Sequence, residues 1–165
     1  KKVPELMGQK KEYLATIEFG KGTDTLDITG NLTDVKSVSN FSVSLIREKL
    51  KGFVGEIEQM PPAFSALRVN GQRAYDLARR GSEPELKSRI VQIDKFELLD
   101  VKGPKATFEI VCSKGTYIRS LARDLALSMN TIGYLRSLTR TKVGQYKVED
   151  SINVTQVYSL YNEKQ

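Results

Sequence analysis

Apolar and polar residues alternate in the stretch "KKEYLATIEF", residues 10–19. Tyr13, Ala15, Ile17 and Phe19 take every second position, and successive side chains of an extended chain point to opposite faces. One face of this segment is therefore apolar, which predicts a half-buried β-strand.

Three later stretches also have the composition of strands. "RIVQIDKFELLDV" (89–101) and "KATFEIVCS" (105–113) are separated by a Gly-Pro turn, and we expect them to pair as an antiparallel hairpin. "IGYLRSLTRTKVGQYKV" (132–148) is β-branched and basic, which is typical of a strand followed by a turn.

Helical spacing of apolar residues replaces the alternation in other segments. Residues 40–53 predict a helix with Ser42 as N-cap, and residues 154–160 predict a last short helix. Residues 116–130 predict another, with Asn130 ending it in the left-handed conformation. The core face of that helix comprises Ile118, Leu121, Ala122, Leu125 and Met129.

Length and composition favour one cytoplasmic domain. The chain has 165 residues, of which 39% are hydrophobic, enough for one moderate core. No apolar run is long enough to span a bilayer, and no secretory signal pattern precedes the first strand.

The amino-acid composition excludes several kinds of catalytic and metal-binding site. The sequence contains no histidine, which removes Ser-His and Cys-His catalysis and histidine metal sites. Its single cysteine, Cys112, lies in an apolar stretch and is predicted to be a small core residue. We therefore expect neither a metal nor a disulfide framework.

A modest excess of positive charge favours a polyanionic partner. The net charge is +6 and the sequence pI is about 9.4. Between Pro61-Pro62 and Ile90, a turn at Asn70-Gly71 leads into a short predicted helix, residues 73–80. Arginines in this stretch alternate with aromatic residues, a mixture that binds phosphates and stacks on bases, although an ordinary solvated loop would have the same composition. The basic residues are Arg68, Arg73, Arg79, Arg80, Lys87 and Arg89, and the aromatic residues are Phe64 and Tyr75.

One turn-forming stretch has the composition of a catalytic loop. "TDTLDITGNL" (23–32) presents Asp27 after a Thr-Leu pair and closes on Gly30, so Asp27 is a candidate nucleophile. Asp24 is expected to stabilise the turn by binding backbone N–H groups.

Four motifs together closely resemble the bacterial tRNA pseudouridine-55 synthases, the TruB family. They occur in that family's order and approximate spacing and cover nearly the whole chain. The motifs are "GKGTDTLDITG" (20–30), "GEIEQMPPAFSALRVNGQRAYDLARRG" (55–81), "SKGTYIRSLARDL" (113–125) and "LRSLTRTKVGQY" (135–146).

The order of these motifs assigns Asp27 a different role. The family's catalytic aspartate lies in a Leu-Asp-Pro loop upstream of a Lys-x-Tyr strand, whereas Asp27 follows the strand that carries Lys11 and Tyr13. Asp27 therefore corresponds to a second family motif. The resemblance implies that the nucleophile precedes Lys1, that this catalytic domain is incomplete at its N-terminus, and that the chain alone is inactive.

The resemblance also assigns roles in a uracil pocket. Arg119 corresponds to the arginine that pairs with the catalytic aspartate, a pair that cannot form within this chain if that aspartate lies upstream. Tyr13 corresponds to the tyrosine that lies against the target base, and Tyr117 and Leu135 to residues that line the pocket. Without the resemblance, Tyr13 is a half-buried strand residue, Arg119 a polar helix residue, and Tyr117 and Leu135 are core residues.

The implied protein is an α/β (α+β) tRNA pseudouridine synthase with a mixed, mainly antiparallel sheet. Residues 61–90 correspond to a thumb-like RNA-binding segment, called the thumb segment below, and no complete C-terminal RNA-binding module is expected. The partner would be the T stem-loop of tRNA, with no cofactor, no metal and a monomeric state. Two alternatives are a non-catalytic RNA-binding or RNA-remodelling protein and an unrelated basic scaffold domain.

Overall fold

The sheet that organises the fold is antiparallel, which agrees with the alternation of apolar and polar residues in the segment 10–19. A computed structural model describes residues 3–38 and 41–157. The strands are β1 (Lys11–Phe19), β2 (Lys21–Thr23), β3 (Leu32–Val35), β4 (Gly55–Gln59), β5 (Arg68–Val69), β6 (Gln72–Arg73), β7 (Arg89–Lys102), β8 (Lys105–Cys112), β9 (Gly133–Val143) and β10 (Tyr146–Lys147). Six of them form one sheet in the order β10-β9-β1-β8-β7-β4.

Helices flank this sheet, which confirms the expected α/β class. They are α1 (Val3–Gly8), α2 (Val43–Leu50), α3 (Ala74–Arg79) and α4 (Ile118–Ser128), with 3-10 turns at Lys51–Phe53 and Val148–Asp150. Every pairing between the named strands is antiparallel, and a parallel bridge joins Asp27 to Leu135.

The hydrophobic core lies between the sheet and α4. Ala15, Ile17 and Phe19 of β1 are buried on one face of the sheet, as their alternation predicts. The predicted apolar face of α4 is buried against them. Close packing here depends on Gly133, because a Cβ at that position would lie 2.9 Å from the Cβ of Ala126.

Local sequence signals set the ends of the helices. The hydroxyl of Ser42 accepts a hydrogen bond from the backbone N–H of Leu45 at 3.2 Å, which makes Ser42 the N-cap of α2. Asn130 has a φ of 57° just after α4, as predicted. The predicted helix at 73–80 is confirmed as α3, one residue shorter at each end.

The thumb segment leaves the sheet after β4 and returns at the start of β7. Its first half contains the β5–β6 hairpin, whose turn residues Asn70 and Gly71 have φ values of 50° and 82°. Two successive positive φ values are the signature of a tight type I′ hairpin turn. The hairpin leads directly into α3, which ends before Gly81.

Cys112 lies in the core, on the face of β8 that packs towards α4. Burial raises the pKa of its thiol, so the nucleophilic thiolate is disfavoured.

Residues 154–157 are helical, and the rest of the helix predicted at 154–160 falls outside the described residues. No helix among the residues described is long and apolar enough to cross a membrane.

Candidate active site

The loop between β2 and β3, residues 24–31, is folded around two carboxylates. Asp24 accepts hydrogen bonds from the backbone N–H of Asn31 at 2.9 Å and from its side-chain amide at 3.2 Å. A Cβ at Gly30 would clash with Oδ1 of Asp24 and lie 2.9 Å from the backbone N of Thr25, so this close turn favours glycine. Asp24 thus closes the loop, in the turn-forming role that its position in the sequence predicts.

Asp27, the second carboxylate, is engaged through both of its oxygens. Oδ1 accepts hydrogen bonds from the hydroxyl of Thr25 at 2.8 Å and from the backbone N–H of Thr29 at 3.0 Å, as well as from the Thr29 hydroxyl. Oδ2 accepts from Nη1 of Arg119 at 3.1 Å. A carboxylate held in this way is fixed in one orientation.

The electrostatics of Asp27 follow from these contacts. Partial burial alone would raise the pKa of its carboxyl, but the hydrogen bonds from Thr29 and Thr25 and the positive charge of Arg119 outweigh that effect. The pKa of Asp27 is therefore lower than usual, and the side chain is an anion at neutral pH.

Leu135 holds the loop against the sheet through its backbone. Its N–H donates to the carbonyl of Leu26 at 3.0 Å, and its carbonyl accepts from the N–H of Ile28 at 3.1 Å. The side chain of Leu135 is only 4% exposed and belongs to the core. The sequence is compatible with a core role and with a pocket role for Leu135; in the structure its side chain lies in the core and its backbone lies beside Asp27.

Arg119, the second residue of α4, connects the Asp27 loop with the thumb segment. Nη1 donates to the carbonyl of Thr25 at 2.8 Å as well as to Asp27, and Nη2 donates to the carbonyl of Phe64 at 2.7 Å. Only 23% of its side chain is exposed. Arg119 is therefore a fixed cation rather than a solvated residue on the polar face of a helix.

A cavity of about 370 Å³ lies beside this ion pair. It opens between α4 and the thumb segment, and both Tyr117 and Arg119 line it, so the structure brings these two predicted site residues together. The full lining consists of Phe64, Ser65, Ala66, Arg73, Tyr75, Tyr117 and Arg119.

Tyr13 lies elsewhere, near the start of β1. It is half-buried against the core and lines a different cavity, of about 460 Å³, together with Lys142 of β9. Burial raises the pKa of its phenol, opposed by the nearby Arg140. The structure does not place Tyr13 in the cavity of Tyr117 and Arg119, and its stacking role stays a prediction.

The predicted RNA-binding arginines of the thumb segment are all exposed. None of their side chains makes a hydrogen bond or ion pair with the residues that the structure describes. Arg73 lines the cavity of Arg119, and Arg68 lines a second cavity of about 480 Å³ at the base of the segment. The four residues are Arg68, Arg73, Arg79 and Arg80.

Sequence reasoning missed several residues of the site. The pairing of Arg119 with Asp27 was not foreseen, because the expected partner of Arg119 was an aspartate upstream of the chain. Gln59 was also missed, although it is fully buried and makes two hydrogen bonds to the backbone of Tyr117. The short, mostly polar strand β4 gives no signal that Gln59 is buried, and its partner is 58 residues away.

No cluster of three potential metal ligands occurs within residues 3–38 and 41–157. The donors around the cavity are cationic or neutral, which suits an anionic or polar ligand better than a metal ion.

Comparison with known families identifies the relatives of this fold and site. Residues 1–118 match the family model described as TruB family pseudouridylate synthase (N terminal domain). The chain belongs to the TruB family. The match covers the Asp27 loop, the thumb segment and Tyr117.

Individual relatives of the TruB family are similar over most of the chain. It is 42% identical over 154 residues to the tRNA pseudouridine synthase B of Phocaeicola vulgatus, covering 93% of this chain and 66% of that protein. It is 46% identical over 158 residues to the enzyme of the same name from Rickettsia bellii, covering 93% and 53%. The chain thus spans between about half and two thirds of the length of these relatives.

Solved structures share the TruB-family fold at lower identity. A Cbf5-Nop10-Gar1 complex contains a chain with a TM-score of 0.69 and 24% identity, covering 98% of this chain and 40% of that one. An H/ACA RNP bound to a substrate RNA containing 2′-deoxyuridine gives a TM-score of 0.64 at 22% identity, covering 98% and 38%. At these identities the likeness establishes the fold alone.

Proposed function

We propose that the protein containing this chain converts a uridine in the T loop of tRNA, position 55, to pseudouridine. The observation that carries the proposal is the fixed position of Arg119, held by Asp27, Thr25 and Phe64 at the wall of a cavity that Tyr117 also lines. Membership of the TruB family and relatives named tRNA pseudouridine synthase B support the reaction class.

The reaction exchanges one bond to the ribose for another. The C1′–N1 bond of uridine breaks, uracil rotates, and a C1′–C5 bond forms, while C5 loses its proton and N1 gains one. The site therefore has to hold a detached base and a nucleophilic carboxylate in fixed positions. A flipped-out uridine would enter the cavity at an unstacking cost of roughly a few kcal/mol.

Asp27 is poorly suited to be that nucleophile. Its Oδ1 accepts hydrogen bonds from Thr25 and Thr29, and its Oδ2 faces Arg119. We propose that Asp27 orients Arg119, and that the nucleophile is an aspartate encoded upstream of residue 1.

Arg119 keeps donors for such a carboxylate. A guanidinium has five N–H groups. Two on Nη1 and one on Nη2 are used by Thr25, Asp27 and Phe64. The Nε–H and one Nη2 N–H have no partner among the described residues, so two donors remain for the oxygens of a second carboxylate. An incoming aspartate would thus be held ionised beside the cavity.

The thumb segment would supply RNA affinity. Its exposed arginines carry no internal partner within the described part of the chain, so their charge is available to phosphates. Phe64 and Tyr75, which pack edge to face with ring centroids 6.0 Å apart, add an aromatic surface at the cavity mouth.

The decisive experiment measures tritium release from C5-labelled uridine in a T stem-loop RNA, using the product of the complete reading frame that contains these residues. Release from the RNA with uridine at position 55, and none when that position alone carries cytidine, would support the enzyme and its target. Binding of the RNA without release would favour the non-catalytic RNA-binding protein.

The upstream nucleophile has its own test in the same assay. Substitution by asparagine of the aspartate in an upstream Leu-Asp-Pro loop should abolish release, whereas Asp27→Asn should leave slow but measurable release. Loss of release only on substitution of Asp27 would overturn this assignment.

A further inference from the structure

Two residues at the base of the thumb segment hold Tyr117 from different sides. Gln59 is the last residue of β4, and Arg89 is the first residue of β7. They are direct partners in the antiparallel register of these strands. The chain thus leaves the sheet beside one of them and returns at the other, so both mark the root of the thumb segment.

Gln59 fixes the backbone of Tyr117. Its side-chain carbonyl accepts from the N–H of Tyr117 at 2.8 Å, and its amide donates to the carbonyl of Tyr117 at 3.2 Å. The side chain of Gln59 is fully buried, so this pair of hydrogen bonds is shielded from water. The position of Tyr117 at the start of α4 is thereby defined, but the direction of its ring is not.

Arg89 contacts that ring. Its Cζ lies 4.7 Å from the ring centroid of Tyr117, within the distance of about 6 Å at which a cation is attracted to an aromatic face. A planar guanidinium placed over the face of a ring restricts its rotation.

No carboxylate competes for this guanidinium within the described residues. Nη2 of Arg89 is buried and has no hydrogen-bond partner there, and Arg89 makes no ion pair with them. The guanidinium also lies beside Gly115, since a Cβ at that position would be in ordinary contact with Nη1 of Arg89, at 3.4 Å. The ring of Tyr117 is therefore a principal contact of the Arg89 guanidinium, and no salt bridge with the described residues accounts for the position of that guanidinium.

We propose that Arg89 is a positioning residue for the pocket, which holds the ring of Tyr117 in place and so couples the root of the thumb segment to the base-binding cavity. This inference rests on the proposed function, because Tyr117 matters only if the cavity receives a uracil. Arg89 itself does not line the cavity of Arg119, so it acts through Tyr117.

The test compares Arg89→Met with Arg47→Met in the complete protein. Arg47 is exposed on α2, distant from the thumb segment, and provides the same loss of charge. Single-turnover tritium release at saturating T stem-loop RNA should fall about tenfold or more for Arg89→Met, with RNA affinity changed less than about threefold, whereas Arg47→Met should keep the unsubstituted rate. An Arg89→Met rate equal to that of Arg47→Met would overturn the proposal.

A double-substitution cycle separates positioning from a general structural role. In a Tyr117→Phe background, which keeps the ring, Arg89→Met should cost the same factor as before. In a Tyr117→Leu background, which removes the ring, Arg89→Met should cost no further rate. Equal cost in both backgrounds would mean that Arg89 acts otherwise than through Tyr117.

A folding defect, a failure of the proposed function and a failure of the role inferred for Arg89 give different experimental results. If Arg89→Met does not fold, as judged by thermal unfolding, Arg89→Lys takes its place and should lower the rate at saturating RNA without changing affinity; an unchanged rate would contradict the proposal. If the unsubstituted protein binds the RNA but releases no tritium, the proposed function fails and this inference with it. If it releases tritium and the Arg89 variant reacts equally fast, this inference alone fails.

Discussion

The Asp27 loop and the thumb segment use charged side chains in opposite ways. In the loop, Asp24 and Asp27 are bound by backbone N–H groups, hydroxyls and a guanidinium. In the thumb segment, Arg68, Arg79 and Arg80 are exposed, and their side chains have no partner among the described residues. Charges that must act on a reacting group benefit from being fixed in advance, whereas charges that bind phosphates along an RNA need to remain available.

The two regions are linked through α4. Arg119 touches both, through Asp27 on one side and the carbonyl of Phe64 on the other. The carbonyl of Met60 accepts hydrogen bonds from Ser120 and Arg123 of the same helix. Helix α4 therefore connects the fixed region to the start of the exposed one.

The largest expected effect is that of removing Arg119. Arg119→Met should lower single-turnover pseudouridine formation by about 100- to 1,000-fold, the scale for loss of one preorganised charged donor. RNA affinity should change little, because the side chain is mostly buried. The measurement is tritium release at saturating RNA together with a binding isotherm.

Arg123→Met on the same helix provides the control for Arg119. Arg123 pairs with the adjacent Asp124 and faces away from Asp27 and Thr25 in its hydrogen bonding. Its loss should change the rate within about fivefold, the upper end for a partly exposed ion pair, because its hydrogen bonds go to Asp124 and the carbonyl of Met60 and not to the Asp27 loop. Equal losses for both variants would remove the distinction between a fixed catalytic region and its surroundings.

Gly30→Ala tests whether the Asp27 loop is rigid. The added Cβ would clash with Oδ1 of Asp24 and Oγ1 of Thr25 and would lie 2.9 Å from the backbone N of Thr25, so the loop must shift. We expect the free energy of unfolding to fall by about 2 kcal/mol or more, as for other overpacked sites. Gly52→Ala, where nothing lies within 4 Å of the added atom, should change it by less than about 0.5 kcal/mol. Similar losses of unfolding free energy for the two variants, measured by urea denaturation, would indicate that the Asp27 loop is not rigid.

Neutralising arginines of the thumb segment tests whether their exposed positive charges bind RNA. Replacing Arg73, Arg79 and Arg80 together by glutamine should weaken tRNA binding about tenfold or more and flatten the dependence of log K on log salt by about two. The protein should remain as stable as before, because these side chains have no partner among the described residues.

The matched control removes three charges from the far side of the molecule. Lys51, Lys102 and Lys105 lie at the end of α2 and around the turn that joins β7 to β8, remote from the thumb segment. Their replacement by glutamine should leave the salt dependence nearly unchanged. If the slope of log K against log salt falls equally in both triple variants, the thumb segment is an ordinary solvated surface.

The smallest expected effect is the pH dependence of the Asp27 contacts. Because the pKa of Asp27 is lower in the folded state than in the unfolded state, its ion pair and hydrogen bonds stabilise the protein above the unfolded pKa, and this contribution is lost as pH falls through the folded pKa. Asp27→Asn should cost about 1 kcal/mol of unfolding free energy at pH 7 and less at pH 3. Asp34→Asn, at an exposed carboxylate on β3, should cost less than about 0.5 kcal/mol at pH 7. A cost for Asp27→Asn that is independent of pH would contradict this account.

Much of the secondary structure could be predicted because it depends on nearby residues. The alternation in β1, the Ser42 cap of α2, the Asn70-Gly71 turn and the apolar face of α4 are properties of short segments, and each is present in the structure. The family was also predictable, because four ordered motifs are read along one chain without knowledge of their contacts.

The sequence by itself determined the fold class, the family and the basic character of the thumb segment, since periodicity, turn residues and charge are all local. Only the tertiary structure decided which side chains meet: Arg119 with Asp27, 92 residues apart, Gln59 with Tyr117, 58 residues apart, and Arg89 with the ring of Tyr117. It also separated Tyr13 from the cavity of Arg119. The physical reason is that a partner across the sheet is selected by strand register and helix packing, which involve the whole core, whereas a pattern of residues specifies only the segment that contains it.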